Sequence, residues 1–336
     1  MFISIGNSLQ QGERPFAYLP VLTIGSFFGV RGIVMYVKRH DIIRFLNVLD
    51  REFPHDLPTQ RVLQVRQVYE GALRRHKYVE ILIHISIYGF CLMPLTVYMF
   101  TRDTNGPITV EQQLLGGWLP FGLSESHKAY PLAWLYDVVV SISGVAFFST
   151  FDTLFYTMHG QIIMHLDSLS MQLKSLNWTS EDNTQLFEQL CPLIRRHQYL
   201  NLLCDQFNDI FNAGIMITDL MAATTICFHL YLLTETDDQF LMIRYLIPIV
   251  SLILFTFEIC HRGAQLEEAY LQLNATLYNQ DWYKCDQKIR KLILIWLKYT
   301  QCIKKLNAYG LMELNMVHFT DVMKLTYRLF TFLKTT

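Results

Sequence analysis

The sequence lacks the short motifs on which most enzymes depend. Its 336 residues contain no P-loop, no G-x-G-x-x-G, no H-E-x-x-H, no C-x-x-C and no G-x-S-x-G. These absences argue against nucleotide-dependent, zinc-dependent and serine-hydrolase chemistry. We therefore expect no enzymatic activity, no cofactor and no metal site.

Charged residues are also scarce. They make up 17% of the chain, whereas hydrophobic residues make up 51%, and a typical soluble protein is about one quarter charged. The net charge of −1 gives no reason to expect a nucleic acid or another polyanion as a partner. The composition indicates a membrane protein.

The apolar residues fall into blocks of helix length, near the ~20 residues that cross a bilayer. Strands of a membrane barrel would be about half as long. The pattern predicts an all-α, polytopic membrane helix bundle with six spans in this chain. The spans are 16–37, 78–100, 132–158, 206–233, 241–260 and a more polar last segment, 309–336.

The basic residues of the loops predict the orientation of the bundle. Alternate loops are rich in Lys and Arg, and such loops stay in the cytosol. The counts are nine in 38–77, three in 159–205 and eight in 261–309, against one in 1–15, two in 101–131 and none in 234–240. Both ends of this chain, including the C-terminus, are therefore expected outside the cell. None of the seven cysteines lies in an outer loop, so we predict no structural disulfide.

The inner loops have the pattern of helices. Ile289, Leu292, Ile293 and Trp296 recur at helical spacing in a run too short to span a membrane. We predict that 159–205 and 261–309 form cytosolic helical extensions. They either pack on themselves or contact another subunit, and we favour a subunit anchor that includes Trp282, Ile289 and Trp296.

The outer halves of the spans are aromatic and apolar, with scattered hydroxyl groups. Such a lining suits a small apolar ligand, whereas ordinary helix packing is the alternative for each single residue. We expect the pocket in the bundle formed by 1–158 and 206–260, under a lid formed by the outer loop 101–131. The predicted ligand-binding residues are Phe28, Tyr88, Phe90, Met93, Tyr136, Ser143, Phe147, Phe148 and Tyr245.

Acidic residues inside the spans are costly and need partners. Glu258 and Arg262 are spaced i, i+4 and can pair. Asp152 and Asp219 either serve a proton-coupled transporter or pair with the cationic side of the last segment. That segment is polar enough to cross a membrane only if one side of it faces protein or water.

Several segments carry a family resemblance over nearly the whole chain. They are FLNVLDREF at 45–53, WLPFG at 118–122, AYPLAWLYD at 129–137, the Cys260–Gly263 run, the Asp281-Trp-Tyr283 turn and LNMVHFTDVMKLTYRLFTFL at 314–333. In this order they resemble the insect odorant receptors.

The resemblance implies a receptor for small volatile ligands in olfactory sensory transduction. It implies a multi-pass protein of the plasma membrane, in the dendrite of an olfactory sensory neuron. Such receptors assemble with a shared co-receptor, as four subunits, into ligand-gated, non-selective cation channels. The cytosolic helices are the anchor between subunits, and the last helix of each subunit lines a central pore.

The resemblance also suggests roles for residues of the last helix, placed at 310–336. The pore or gate falls at His318, Val322 and Leu325. A charged arc of Asp321, Lys324 and Arg328 would then face neighbouring helices, paired within itself or with Asp219 and Glu258.

One feature departs from the family, whose members have seven spans. The block at 16–37 corresponds to the second helix of the family, so we expect the first helix to be missing from this sequence. Gustatory receptors of the same superfamily are the alternative. A G-protein-coupled receptor or a transporter is a more distant one, because neither the outer-loop cysteine of the former nor the internal repeats of the latter are present.

Overall fold

A computed structural model describes residues 19–62, 64–100, 129–178 and 183–335. This part of the chain is almost entirely helical. The helices are α1 Leu19–Val37, α2 Arg39–Glu52, α3 Leu57–Val62, α4 Val65–Phe100, α5 Tyr130–Ser175, α6 Asn183–Glu235, α7 Gln239–Tyr278, a 3₁₀ turn Trp282–Lys284, α8 Gln287–Thr300 and α9 Met316–Thr335. The predicted all-α class is confirmed, with one small exception described below.

Four helices of the described part are long and apolar enough to cross a membrane by length and composition. They are α1, α5, α6 and the helix that begins at Gln239, which is α7. The predicted count of six spans requires α4 and α9 in addition. Of these two, α9 carries His318, Asp321, Lys324 and Arg328, and its crossing remains a prediction.

The long helices extend well beyond a bilayer. Helix α5 has 46 residues and α6 has 53. At about 1.5 Å per residue each is more than twice as long as the ~30 Å hydrocarbon layer. The helices that contain the predicted spans therefore continue into 159–175, 183–205 and 261–278. We call these extensions, together with α2 and α8, the inner region; its location in the cytosol remains a prediction. Helix α7 ends at Tyr278, within the predicted extension 261–309.

Two clusters of buried side chains form the core. The larger cluster lies in the inner region, where α2 and α8 contribute Phe45 and Trp296 to the inner parts of α5, α6 and α7. The smaller cluster lies among the spans, around Phe27, Phe148 and Leu252. Short amphipathic helices thus close the inner core, because a narrow apolar face is buried when it packs against longer helices.

The segment before α9 differs from the expected helix. Residues Asn307–Ala308 and Met312–Glu313 pair as two short antiparallel strands, β1 and β2. Tyr309 and Gly310 have φ values of 54° and 69°, in the left-handed region that interrupts a helix. The helix begins only after Asn315, whose Oδ1 accepts the backbone N–H of His318 at 2.9 Å, as an N-cap does.

Candidate functional site

A cavity of about 480 Å³ lies among the spans. Side chains of α1, α4, α5 and α7 form its walls, which are mainly apolar. Four of the predicted ligand-binding residues line it, namely Phe28, Ser143, Phe147 and Phe148. Its volume and lining are those of a site for a small organic molecule.

Two of the other predicted ligand-binding residues, Tyr136 and Tyr245, lie outside this cavity. Tyr136 is 56% exposed and does not line the cavity, and Tyr245 has its ring 6.2 Å from that of His229, between α7 and α6. The side chains of Tyr88, Phe90 and Met93 lie outside the described residues, as does the outer loop at 101–128. Aromatic character alone did not distinguish the cavity wall from the outer ends of the helices.

Sequence reasoning missed most of the contribution of α1. Gly25 and Gly29 line the cavity, and a Cβ added to either would meet no atom within 4 Å. Two further glycines allow α1 and α5 to pack closely, because a Cβ on Gly32 would lie 3.1 Å from the Phe147 ring and one on Gly144 would lie 3.3 Å from Phe28. The spacing of the glycines in α1 was the signal that could have indicated a helix contact.

A pair of serines provides hydrogen-bonding groups in the cavity wall. Ser86 Oγ on α4 and Ser251 Oγ on α7 are 2.9 Å apart, and Ser86 Oγ also donates to the carbonyl of Leu82 at 2.8 Å. A serine hydroxyl has one proton, so Ser251 donates to Ser86. The oxygen of Ser251, a residue that lines the cavity, therefore keeps acceptor capacity. Ser143 instead donates to Val139 of its own helix.

A cluster of charged side chains lies between α4, α5 and α7. Arg75 forms ion pairs with Glu258 and, at 3.6 Å, with Asp152. Arg262 Nη2 lies 3.6 Å from Glu258, so the predicted i, i+4 pair is present. In the sequence Arg75 is one of the nine basic residues of 38–77, and no local pattern indicates a partner 183 residues away.

The last helix is held to α6 by a polar contact. His318 Nε2 lies 2.7 Å from Asp219 Oδ2, and both side chains are largely buried. Val322, one turn further, is buried as well. The structure therefore places these two predicted gate residues against their own chain. The third, Leu325, is exposed.

The charged arc of the last helix also differs from its expected surroundings. Asp321 and Lys324 pair with each other at 3.4 Å, but both are well exposed. Arg328 is exposed too. The expected partners Asp219 and Glu258 are engaged by His318 and by Arg75 instead. The face of α9 that points away from this chain thus contains Leu325 and the charged arc.

The predicted anchor residues pack inside the chain. Ile289 and Trp296 are buried in the inner core, and Trp296 Nε1 donates to His197 Nδ1 at 3.1 Å in the inner part of α6. Burial lowers the pKa of His197 to about 4, so the ring is neutral and its Nδ1 can accept this bond. Trp282 is partly buried against the same core. The face of α8 that is turned away from this core instead exposes Leu294, Ile295 and Tyr299.

The described residues contain neither a disulfide nor a cluster of metal ligands. All seven cysteines are free thiols. Among the described residues, no group of three His, Cys, Asp or Glu side chains is arranged to hold a metal ion.

Comparison with known proteins gives consistent results. A family model described as 7tm Odorant receptor matches residues 17–327. The chain is 41% identical over 318 residues to Odorant receptor 88a of Drosophila melanogaster, covering 94% of this chain and 79% of that protein. It is 26% identical over 347 residues to Odorant receptor 67c of the same species, covering 98% of this chain and 82% of that protein. The olfactory receptor OR5 of Machilis hrabei, solved in complex with eugenol, shares the fold with a TM-score of 0.76 and 16% identity, over 96% of this chain and 81% of that one.

Proposed function

Because the chain belongs to the 7tm odorant receptor family, a family of membrane receptors and not of enzymes, we propose that it is an odorant receptor subunit that gates a non-selective cation channel together with a shared co-receptor. The observation that carries the proposal is the apolar cavity among α1, α4, α5 and α7. Membership in this family favours an odorant receptor over the gustatory receptor, G-protein-coupled receptor and transporter alternatives.

The ligand class follows from the walls of the cavity. Most of the lining is hydrocarbon, which favours a small apolar odorant. The acceptor oxygen of Ser251 favours a ligand that also carries one hydroxyl group, since an O–H can donate to it. The cavity is large enough for a small organic molecule, and the related OR5 of Machilis hrabei binds eugenol.

Each segment of the chain has its own role in this proposal. Residues 1–158 and 206–260 form the bundle that holds the ligand, and 159–205 with 261–309 form the cytosolic anchor. The exposed Leu294, Ile295 and Tyr299 on α8 are suited to contact the co-receptor in an assembly of four subunits. The last helix lines the pore with its exposed arc, and its C-terminus lies outside the plasma membrane.

The proposed function is tested by recording odorant-evoked currents in cells that express this chain with and without an odorant co-receptor. We expect cation currents only when both are present, because receptors of this family act together with a co-receptor. A tag after Thr336, stained on intact cells, measures the amount of receptor at the surface. The same tag tests the orientation of the C-terminus.

Two outcomes would contradict the proposal. Strong odorant currents from this chain alone would remove the need for the co-receptor. A tag that is stained only after permeabilisation, in cells that do respond to odorants, would place the C-terminus inside and reverse the topology.

A second prediction concerns the serine pair. We expect Ser251→Ala to raise the half-maximal concentration of an activating alcohol about 5-fold, since a net hydrogen bond contributes roughly 0.5–1.5 kcal/mol. The response to the isomeric methyl ether, which has no hydroxyl proton, should be unchanged. Concentration–response curves for the two isomers measure this difference.

The matched control is Tyr136→Ala, because Tyr136 is on α5 but outside the cavity. Tyr136→Ala should change neither the concentration–response curve of the alcohol nor that of the ether. An equal shift of the alcohol and the ether in Ser251→Ala would mean that the serine shapes the cavity and does not bind the ligand's hydroxyl.

A further inference from the structure

A buried arginine lies directly behind the wall of the cavity. Arg31 on α1 is 1% exposed. The carbon of its guanidinium is 4.7 Å from the ring centroid of Phe27, 4.3 Å from that of Phe148 and 4.9 Å from that of Phe151. Phe27 and Phe148 also line the cavity. The cation and the ligand site therefore share two aromatic rings as a common wall.

Arg31 has no direct ion pair within the part of the chain that the structure describes. Its Nε and Nη1 atoms are buried and have no hydrogen-bond partner among the described residues. Asp152, one helical turn beyond Phe148, is the carboxylate that attracts it electrostatically, but the salt bridge of Asp152 is made with Arg75. The position of the guanidinium thus depends on cation–π contacts and on the carboxylate of Asp152, which it shares with Arg75.

The cavity and the charged cluster are built on the same helices. Arg31 on α1, Arg75 on α4, Asp152 on α5, and Glu258 with Arg262 on α7 make three cations and two carboxylates. The ring of Tyr156 lies under both Arg75 and Arg262, 4.4 Å from the latter. With one carboxylate fewer than cations, a move of Arg31 toward Asp152 competes with the contact of Arg75.

We propose that Arg31 is a positioning residue that transmits the state of the ligand cavity to this charged cluster. A ligand that shifts the ring of Phe27 or Phe148 also shifts the guanidinium that contacts both rings. The guanidinium then moves relative to Asp152 and changes the balance between Asp152 and Arg75. The cluster joins α4, α5 and α7 where they enter the inner region, so that change reaches the helices that continue into the cytosol. The inference rests on the proposed receptor function.

The test uses the full chain expressed with the co-receptor and a series of Arg31 variants. Arg31→Met keeps an apolar side chain against the rings but removes the charge. We expect its maximal odorant current, divided by surface protein, to fall about 10-fold, as for the loss of a typical coupling between sites. Its half-maximal concentration should change by no more than about 2-fold, because Arg31 is not part of the lining.

Phe28→Ala is the matched comparison. Phe28 lines the cavity and contacts Phe27 and Phe148 edge-on. Loss of its ring should raise the half-maximal concentration by about 10-fold while most of the maximal current remains, since apolar contact with the ligand is what it supplies. Arg31→Met should therefore lower the maximal current, whereas Phe28→Ala should raise the half-maximal concentration.

Arg31→Lys provides the second variant and also covers the case in which Arg31→Met does not reach the surface. Lysine keeps the charge but not the planar stacking, so we expect an intermediate loss of maximal current with little change in the half-maximal concentration. Either Arg31 variant overturns the inference if it keeps the full maximal current, or if it changes the curve as Phe28→Ala does. Absence of any odorant current from the unmodified receptor would instead contradict the proposed function.

Discussion

Gly263→Ala should remove most functional receptor from the cell surface and lower the free energy of unfolding by about 3 kcal/mol, the upper range for overpacking. The reason is the close approach of α7 to the segment that leads into the last helix. A Cβ on Gly263 would lie 1.8 Å from the carbonyl oxygen of Leu314. A backbone oxygen cannot rotate away as a side chain can, so α7 and this segment must separate.

The consequence should extend to the last helix. Leu314 is buried and its N–H donates to the carbonyl of Leu306 at 2.9 Å. It lies two residues before α9 begins at Met316. A displacement at Gly263 therefore moves the start of α9. Thermal unfolding of the purified receptor and surface staining measure the two effects.

Gly71→Ala is the control for the glycine substitution. Gly71 is in the exposed part of α4, and a Cβ there would meet no atom within 4 Å. Alanine favours the helix over glycine by roughly 0.5–1 kcal/mol, so this variant should be as stable as the parent or slightly more stable. If both variants behaved alike, close approach at Gly263 would not be the determining factor.

Arg75→Met should be the second severe substitution. Arg75 is the shared partner of Asp152 and Glu258, and all three side chains are largely buried. Removing one member of a buried ion-pair network typically costs about 3–5 kcal/mol. Here it leaves Asp152 without its salt bridge and Glu258 with Arg262 alone. We expect a large fall in the thermal unfolding temperature, and little receptor at the surface.

Arg66→Met tests whether burial is the cause. Arg66 is on the same helix and pairs with Glu70 at 2.7 Å, but its side chain is 91% exposed. Solvent screens such a pair, so its loss should leave the unfolding temperature unchanged. Equal losses from the two substitutions would show that α4 needs basic residues in general and not this particular cation.

The local features of the chain were well predicted from sequence. The apolar blocks, the helical character of the segments between them and the pair of Glu258 with Arg262 all depend on residues within a few turns of each other. For the same reason Phe147 and Ser143, which recur on one face of α5, were correctly placed together. The N-cap at Asn315 was available to the same reasoning, but the turn at Tyr309 and Gly310 was read as helix.

The amino-acid sequence alone determined that this protein is a bundle of membrane helices joined by alternately basic and base-poor loops, because hydropathy and helix formation act over a few turns of chain. Only the tertiary structure decided which residues meet. It placed Arg31 behind Phe148, Arg75 between two carboxylates, and His318 against Asp219 with the charged arc of α9 exposed. These contacts depend on how each long helix is rotated and shifted against its neighbours. Packing over the whole bundle determines that rotation. The regular repeat of the helical backbone does not, because it is the same on every face of a helix.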